Sequence, residues 1–412
     1  MDKPMKKFQA WVVLAAATGI NMTMGINYSW SVVKKALVTD WHWTNVEASL
    51  PYSLYTVVFS LTMILAGRMQ DKMGPRAVAT LGSFILGAGL LACGFSDTPL
   101  LMALAYAITA VGNSLCYSTT MPACVKWFPA EKKGLIAGIV VSGSGLASAY
   151  FSPITAWLLD HYGISSTFLM LGIFASILML SLAQLLQNPP AAIIGPAAGN
   201  KAAVTTMVGY VPRDVDWREM IRTATFYKLW LMFLFSAAAG LMIIGHIATI
   251  AKTQANWENG FYLVVILALF NTGGRLVSGH LSDKFGRLRV MRAIFLLQAI
   301  NFLLFASYGS SLLLAAGVML TGLCYGSAFA LFPVTVADFY GVKNLGGNYG
   351  LVFSAWGVAG LLGPLLAGWV VDVFGTYFIA YQVSAVLLLA ALVLACTIRA
   401  EDHKVSHAGE KA

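Results

Sequence analysis

Twelve stretches of about 20 mainly apolar residues recur along the chain, and that pattern decides what it can fold into. They run roughly over 9–32, 47–67, 76–95, 99–125, 134–158, 165–187, 227–251, 259–281, 290–307, 311–337, 346–371 and 376–398. A helix of that length crosses the hydrocarbon core of a bilayer with every backbone polar group bonded internally. Spanning strands are excluded, because the runs are too long and do not alternate. Composition points the same way: 10% of residues are charged, against about 25% in soluble domains. The expected fold is an all-α membrane protein, with twelve transmembrane helices in two pseudo-symmetric six-helix bundles.

The net charge of +9 does not indicate nucleic-acid binding, because the basic residues sit in short connectors between apolar runs. With a cytoplasmic N-terminus, the connectors and tails on that side hold 22 of the 26 Lys and Arg. Lys34, Lys35 and Lys252 fall on the other side, and Arg275 lies inside a run. The asymmetry places both termini in the cytoplasm, and the expected location is the plasma (inner) membrane. Lys3, Lys6 and Lys7 before an apolar stretch mimic a signal peptide, but cleavage after Ala17 would leave too short an apolar core. The segment is read as the first spanning helix. All five cysteines lie in apolar runs without metal-ligand spacing and read as small buried hydrophobes. No metal and no cofactor are expected.

The chain divides into a six-helix unit over 1–188, a linker over 189–225, a second six-helix unit over 226–399 and a tail over 400–412. The stretch from Trp217 to Ile221 suggests a short interfacial helix. The two units repeat one another. GRMQDKMG at 67–74 recurs as GHLSDKFG at 279–286, an offset of 212. Trp127-Phe128-Pro129 falls on Phe339-Tyr340-Gly341, and Asp160 and Gly163 fall on Asp372 and Gly375, at the same offset. One offset at three places signals a duplication. Parallel repeats are a known transporter design.

The paired loops resemble the signature of the major facilitator superfamily, G-x-L-x-D-[KR]-x-G-[RK]. The second copy, Gly279 to Arg287, fits almost fully; the first has Met69 for Leu and places Pro75 before Arg76. In that family the contacts of residues such as Asp71, Arg76, Asp283 and Arg287 latch the cytoplasmic side. GINYSW (25–30), KWFPAEKKGLIAGIVVSGSG (126–145), FNTGGR (270–275), ALFPVTVADFYG (330–341) and NYG (348–350) together resemble the branch of oxalate:formate antiporters and monocarboxylate transporters.

Arg275 is the one Lys, Arg, Asp or Glu well inside an apolar run. A cation there costs ~2.5–3.5 kcal/mol on insertion scales, and no carboxylate lies at comparable depth. A substrate anion is the missing partner, and the planar guanidinium fork matches a carboxylate. The resemblance agrees, since the corresponding arginine binds carboxylate in this branch. Asn271, four residues earlier, shares its helix face and either orients the guanidinium or contacts substrate. The eukaryotic members commonly place Asp there, which Asn cannot replace in titration. The antiporter places a lysine where this chain has Trp356, which favours a monocarboxylate over a dicarboxylate. Helices 1, 4, 7 and 10 line the cavity in the superfamily. Tyr28, Asn113, Tyr117, Tyr325 and Phe329 on three of them complete the expected substrate-binding set. His246, toward the outer end of the seventh run, is a candidate for proton coupling. SGSG at 142–145 reads as helix close-packing rather than a phosphate loop.

The expected activity is secondary transport of a small monocarboxylate such as L-lactate by alternating access, coupled to protons, with anion exchange as the alternative. No nucleophile, base and acid set suggests an enzyme, and no sizeable soluble domain suggests a receptor. The partners expected are the substrate, protons and the bilayer, with a monomer as the functional unit.

Overall fold

The computed structural model describes residues 3–190, 214–257 and 261–398. The parts of the expected linker and tail over 191–213 and 399–412 lie outside the described residues. Among the described residues every regular element is helical. The order is α1 (Lys3–Met24), α2 (Trp30–Asp40), α3 (Asn45–Met73), α4 (Pro75–Gly94), α5 (Pro99–Val125), α6 (Lys133–Gly145), α7 (Ala147–Ala183), α8 (Trp217–Met220), α9 (Ala224–Ala255), α10 (Phe261–Phe285), α11 (Arg287–Phe305), α12 (Ser311–Tyr340), α13 (Leu345–Phe374) and α14 (Phe378–Thr397).

Among the described residues, eleven continuous apolar stretches are long enough to cross a bilayer. One of them, Lys133–Ala183, has 51 residues, or about 76 Å at about 1.5 Å per residue. That is two crossings of a core about 30 Å thick. The turn between them is at Gly163, whose φ of 74° and ψ of 176° break the helix. Twelve passes result. The first is longer than the expected 9–32, and is interrupted by a 3-10 turn over Gly25–Ser29 before α2 continues it. Close packing accompanies the interruption: a Cβ on Gly25 would stand 1.7 Å from that of Ala147.

The duplication seen in sequence is a duplication of backbone. Gly74 and Gly286 have φ of 84° and 88°, and Gly163 and Gly375 have φ of 74° and 67°. Both pairs are 212 apart. Gly74 and Gly286 also agree in ψ, at 164° and 149°, a region only glycine enters without strain, so the turns behind both signature loops are built alike. Gly163 and Gly375 share the sign of φ but differ in ψ, at 176° and 7°. α1–α7 form one half and α9–α14 the other. The halves meet chiefly where α3 packs on α13 and α6 on α10.

Leu61, Leu65, Phe84, Leu365 and Val386 belong to an exposed apolar belt, as expected of a surface solvated by lipid. Four of the five cysteines are buried. Cys396 is exposed, contrary to expectation, because its helix turns that face outward. The expected interfacial helix is α8. Met220 on it is fully buried, Arg218 is exposed, and the Arg68 guanidinium lies 3.8 Å from the Trp217 ring centre.

Candidate functional site

Glycines bring α6 and α10 together at the centre of the molecule. A Cβ on Gly138 would lie 2.4 Å from the Arg275 carbonyl oxygen, and one on Gly145 would lie 2.8 Å from Thr272 Oγ1. The glycine-rich stretch therefore serves close packing. α6 ends at Gly145, which leaves the carbonyls of its last turn available to outside donors. Arg275 uses one of them. Its Nη1 donates to the Val141 carbonyl and to Ser144 Oγ at 2.7 Å.

Asn271 fixes the other side of the guanidinium, accepting from Nε at 3.0 Å through Oδ1. The Phe329 ring centre lies 4.8 Å from Cζ, a favourable place for a cation. Arg275 is 1% exposed, and no carboxylate pairs with it among the described residues. Nη2 donates to nothing among those residues. The site is a buried positive charge, oriented and incompletely neutralised.

Arg275 borders a partly open cavity of about 50 Å³. Phe329, Phe353, Trp356, Phe59 and Tyr117 make an aromatic wall. A polar pole faces it from the first half. The Tyr55 hydroxyl accepts from Asn27 Nδ2 at 2.7 Å and from Asn113 Nδ2 at 2.5 Å. Tyr106 donates to Asn27 Oδ1 at 3.1 Å. Asn113 Oδ1 is buried without a partner. Tyr28, 41% exposed, stands at the mouth.

Of the eight residues expected to contact substrate, six line this cavity: Arg275, Asn113, Tyr117, Tyr28, Phe329 and Trp356. Asn271 stands behind the guanidinium. Tyr325 stands behind Trp356, accepting from its indole Nε1 at 3.0 Å. His246 lies outside the lining, between the Tyr377 hydroxyl and the Pro364 carbonyl, each at 3.1 Å. The lining also holds Asn27, Tyr52, Tyr55, Phe59, Ser144 and Phe353, which the sequence reading did not select. Tyr52, Tyr55 and Phe59 are an aromatic row at helical spacing. Such a row looks the same whether it faces a core or a cavity.

The signature loops close one face of the molecule, the loop face. Asp283 accepts from the first-turn amides of α6, Gly134 at 2.9 Å and Leu135 at 2.8 Å. Asp71 accepts from the first-turn amides of α13, Gly346 at 3.2 Å and Gly347 at 2.7 Å. Each carboxylate thus caps a helix of the opposite half, where free amides and the helix dipole favour an anion. Both pairs obey the 212 offset. Arg287 holds Asp283 at 2.5 Å and Asp338 at 3.0 Å. Arg76, the other basic residue expected in the signature loops, is exposed, and no bond joins it to Asp71 among the described residues. Pro75 occupies the position equivalent to Arg287, so Arg76 is turned about 100° around its helix. Lys126, equivalent by offset to Asp338, supplies the positive charge near Asp71. Burial holds its ammonium below the ordinary lysine range, partly offset by Asp71 and Asp214.

Val215 reinforces this face. Its amide donates to the Tyr340 carbonyl at 3.0 Å, and its carbonyl accepts from Asn348 Nδ2 at 3.0 Å.

Comparison with known proteins agrees with this architecture. The chain is 27% identical over 378 residues to the oxalate:formate antiporter of Oxalobacter formigenes, covering 91% of this chain and 87% of that one. It is 24% identical over 389 residues to monocarboxylate transporter 13 of Bos taurus, covering 92% and 86%. The fold matches the crystal structure of the transporter FucP in its outward conformation. The TM-score is 0.71 and identity 14%, over 94% of this chain and 99% of that one. The sequence pattern of the Major Facilitator Superfamily matches residues 13–279 and 249–412, and the chain belongs to that family of membrane transporters.

Proposed function

We propose that the protein carries a small monocarboxylate, L-lactate or a close analogue, with Arg275 as the seat of the carboxylate. The observation that carries this reading is the oriented guanidinium on the cavity wall with no acidic partner among the described residues. A carboxylate there gains charge-assisted hydrogen bonds from Nη2. The aromatic wall suits a short alkyl group. Asn113 Oδ1, unpartnered and buried, suits a hydroxyl beside the carboxylate. The loop face is the cytoplasmic one on this reading, from the distribution of Lys and Arg, and the rocking of the halves exposes the cavity to each side in turn.

Moving a bare anion into a negative interior opposes ~2.3 kcal/mol per 100 mV. Co-transport of a proton removes that cost. The proton travels on the cargo carboxyl, through His246 or along a water chain, and His246→Gln singles out the second: pH-driven uptake fails only if His246 carries the proton. Exchange of anions is a second reading, favoured by the similarity to the oxalate:formate antiporter. Trp356 in place of a second cation argues against a dicarboxylate as one of the exchanged anions.

The test is uptake of labelled lactate by proteoliposomes with and without a pH gradient, for the parent and Arg275→Gln. Parent uptake driven by the gradient and lost in the variant is expected. Equal uptake by both would remove Arg275 from the site, and uptake that depends only on an internal anion would establish exchange.

A further inference from the structure

Two buried hydroxyls near the guanidinium have no use in the state described above. Tyr117 on α5 and Tyr349 on α13 are 7% and 2% exposed. Both rings pack on Phe353, with centroids 5.3 Å and 5.6 Å from it. Their hydroxyls face one another without closing a hydrogen bond of good geometry. Both lie within electrostatic range of Arg275. Phenylalanine would fill the same space without burying an unsatisfied polar atom, so each hydroxyl costs free energy as it stands.

Their depth gives that cost a purpose. Tyr349 precedes Phe353 by one helical turn, about 6 Å nearer the loop face. It is absent from the cavity lining. Tyr117 follows Asn113 by one turn in the same direction. Tyr117 therefore belongs to the loop-face end of the cavity wall, and Tyr349 lies beyond it, between the cavity and the loop face.

Tyr349 and Arg275 belong to the same half, whereas Tyr117, Val141 and Ser144 belong to the other. Separation of the halves at the loop face takes Tyr117 away from Tyr349. It also takes Val141 and Ser144 away from Nη1. Tyr349 is then uncovered, within electrostatic range of a guanidinium that has lost two acceptors.

On the reading that the cargo is a carboxylate, we infer that Tyr349 forms, with Arg275, a second carboxylate seat that is used when the loop face is open. Tyr349 donates its hydroxyl proton to one carboxylate oxygen while Arg275 holds the other. Tyr117 closes this seat in the state described here and serves the outer site.

Tyr349→Phe keeps the ring on Phe353 and removes only the donor. The experiment measures lactate KM separately from the two sides of oriented proteoliposomes, together with the thermal midpoint. The expected variant has a KM from the loop face raised about tenfold, the size of one lost charge-assisted hydrogen bond. Its KM from the opposite face is unchanged, and its midpoint is equal to or above the parent's. Parent values on both sides would overturn the inference and leave the carboxylate reading intact. An equal rise on both sides would place Tyr349 in the outer site and overturn it as well. A parent that moves no carboxylate would overturn the proposed function, and this inference with it.

Discussion

Arg275 and Ser144 are joined by a 2.7 Å hydrogen bond that crosses the boundary between the halves. The residue proposed to hold cargo is therefore also a tie between the bodies that must rock. Ser144→Ala removes one bond to a charged group, worth about 1.5–3 kcal/mol, from the state with the loop face closed. In the open state water replaces the hydroxyl, so the loss is specific to closure. The open population is expected to rise by tenfold or more, read as spin-label distances between the loop-face ends of α3 and α13. An unchanged distance distribution would show that the bond has no bearing on the equilibrium.

Asn271 holds the guanidinium by Nε at 3.0 Å, and two substitutions separate orientation from charge. Asn271→Ala removes the orienting acceptor and is expected to weaken lactate binding about tenfold. Asn271→Asp keeps an acceptor but places a fixed anion on Arg275. If the guanidinium serves an anionic cargo, this variant binds lactate more weakly than the alanine one at neutral pH. Calorimetric titration of purified protein reads both, and the reverse order would contradict the charge argument.

Lys126 is expected to make closure of the loop face dependent on pH. Burial in the closed face holds its ammonium below its usual value of 10.5, and opening restores solvation and the usual value. The proton is thus bound more weakly when the face is closed. The penalty on closing is full below the lowered value and disappears as pH rises from there through 10.5. The closed population is expected to increase with pH over that window, and Lys126→Met is expected to abolish the increase. Accessibility of a single cysteine at the loop-face end of α3 to a membrane-impermeant reagent with a pH-corrected rate would measure it.

Arg275 was legible because its cost in hydrocarbon does not depend on knowing the fold. The twelve passes were legible for the same reason, since length and apolarity answer to the bilayer and not to packing. The fixed offset of 212 carried the two latches, down to the glycines that let each helix start approach the opposite loop. The pole formed by Asn27, Tyr55 and Asn113 was only partly legible: Asn113 has a pseudo-symmetric aromatic partner, but Tyr55 differs from any packed tyrosine only in what faces it. Tyr325 and Asn271 sit on the expected helices one layer behind the cavity, a distinction set by rotamers and neighbouring side chains. Arg76 does not repeat the contacts of Arg287 in this state, because Pro75 shifts its register by one residue, a departure visible in the sequence.

On the proposed reading, substitution of Trp356 is expected to reverse the preference for one carboxylate over two. It lines the cavity with Arg275, and its indole is held by the Tyr325 hydroxyl. Trp356→Lys places a second cation in the same enclosure, where two unpaired charges repel and each remains desolvated. A dicarboxylate relieves both, and a monocarboxylate only one. Oxalate affinity is expected to rise by about 10- to 100-fold, the equivalent of one added charge-assisted contact, while lactate affinity falls. The substitution also shortens the side chain and leaves the Tyr325 hydroxyl without its donor, so Trp356→Met is the control for volume. Isothermal titration with oxalate and lactate on all three proteins gives the comparison. If lysine and methionine bind oxalate equally, the number of cations does not set the preference, and the aromatic wall itself must do so by excluding the second carboxylate.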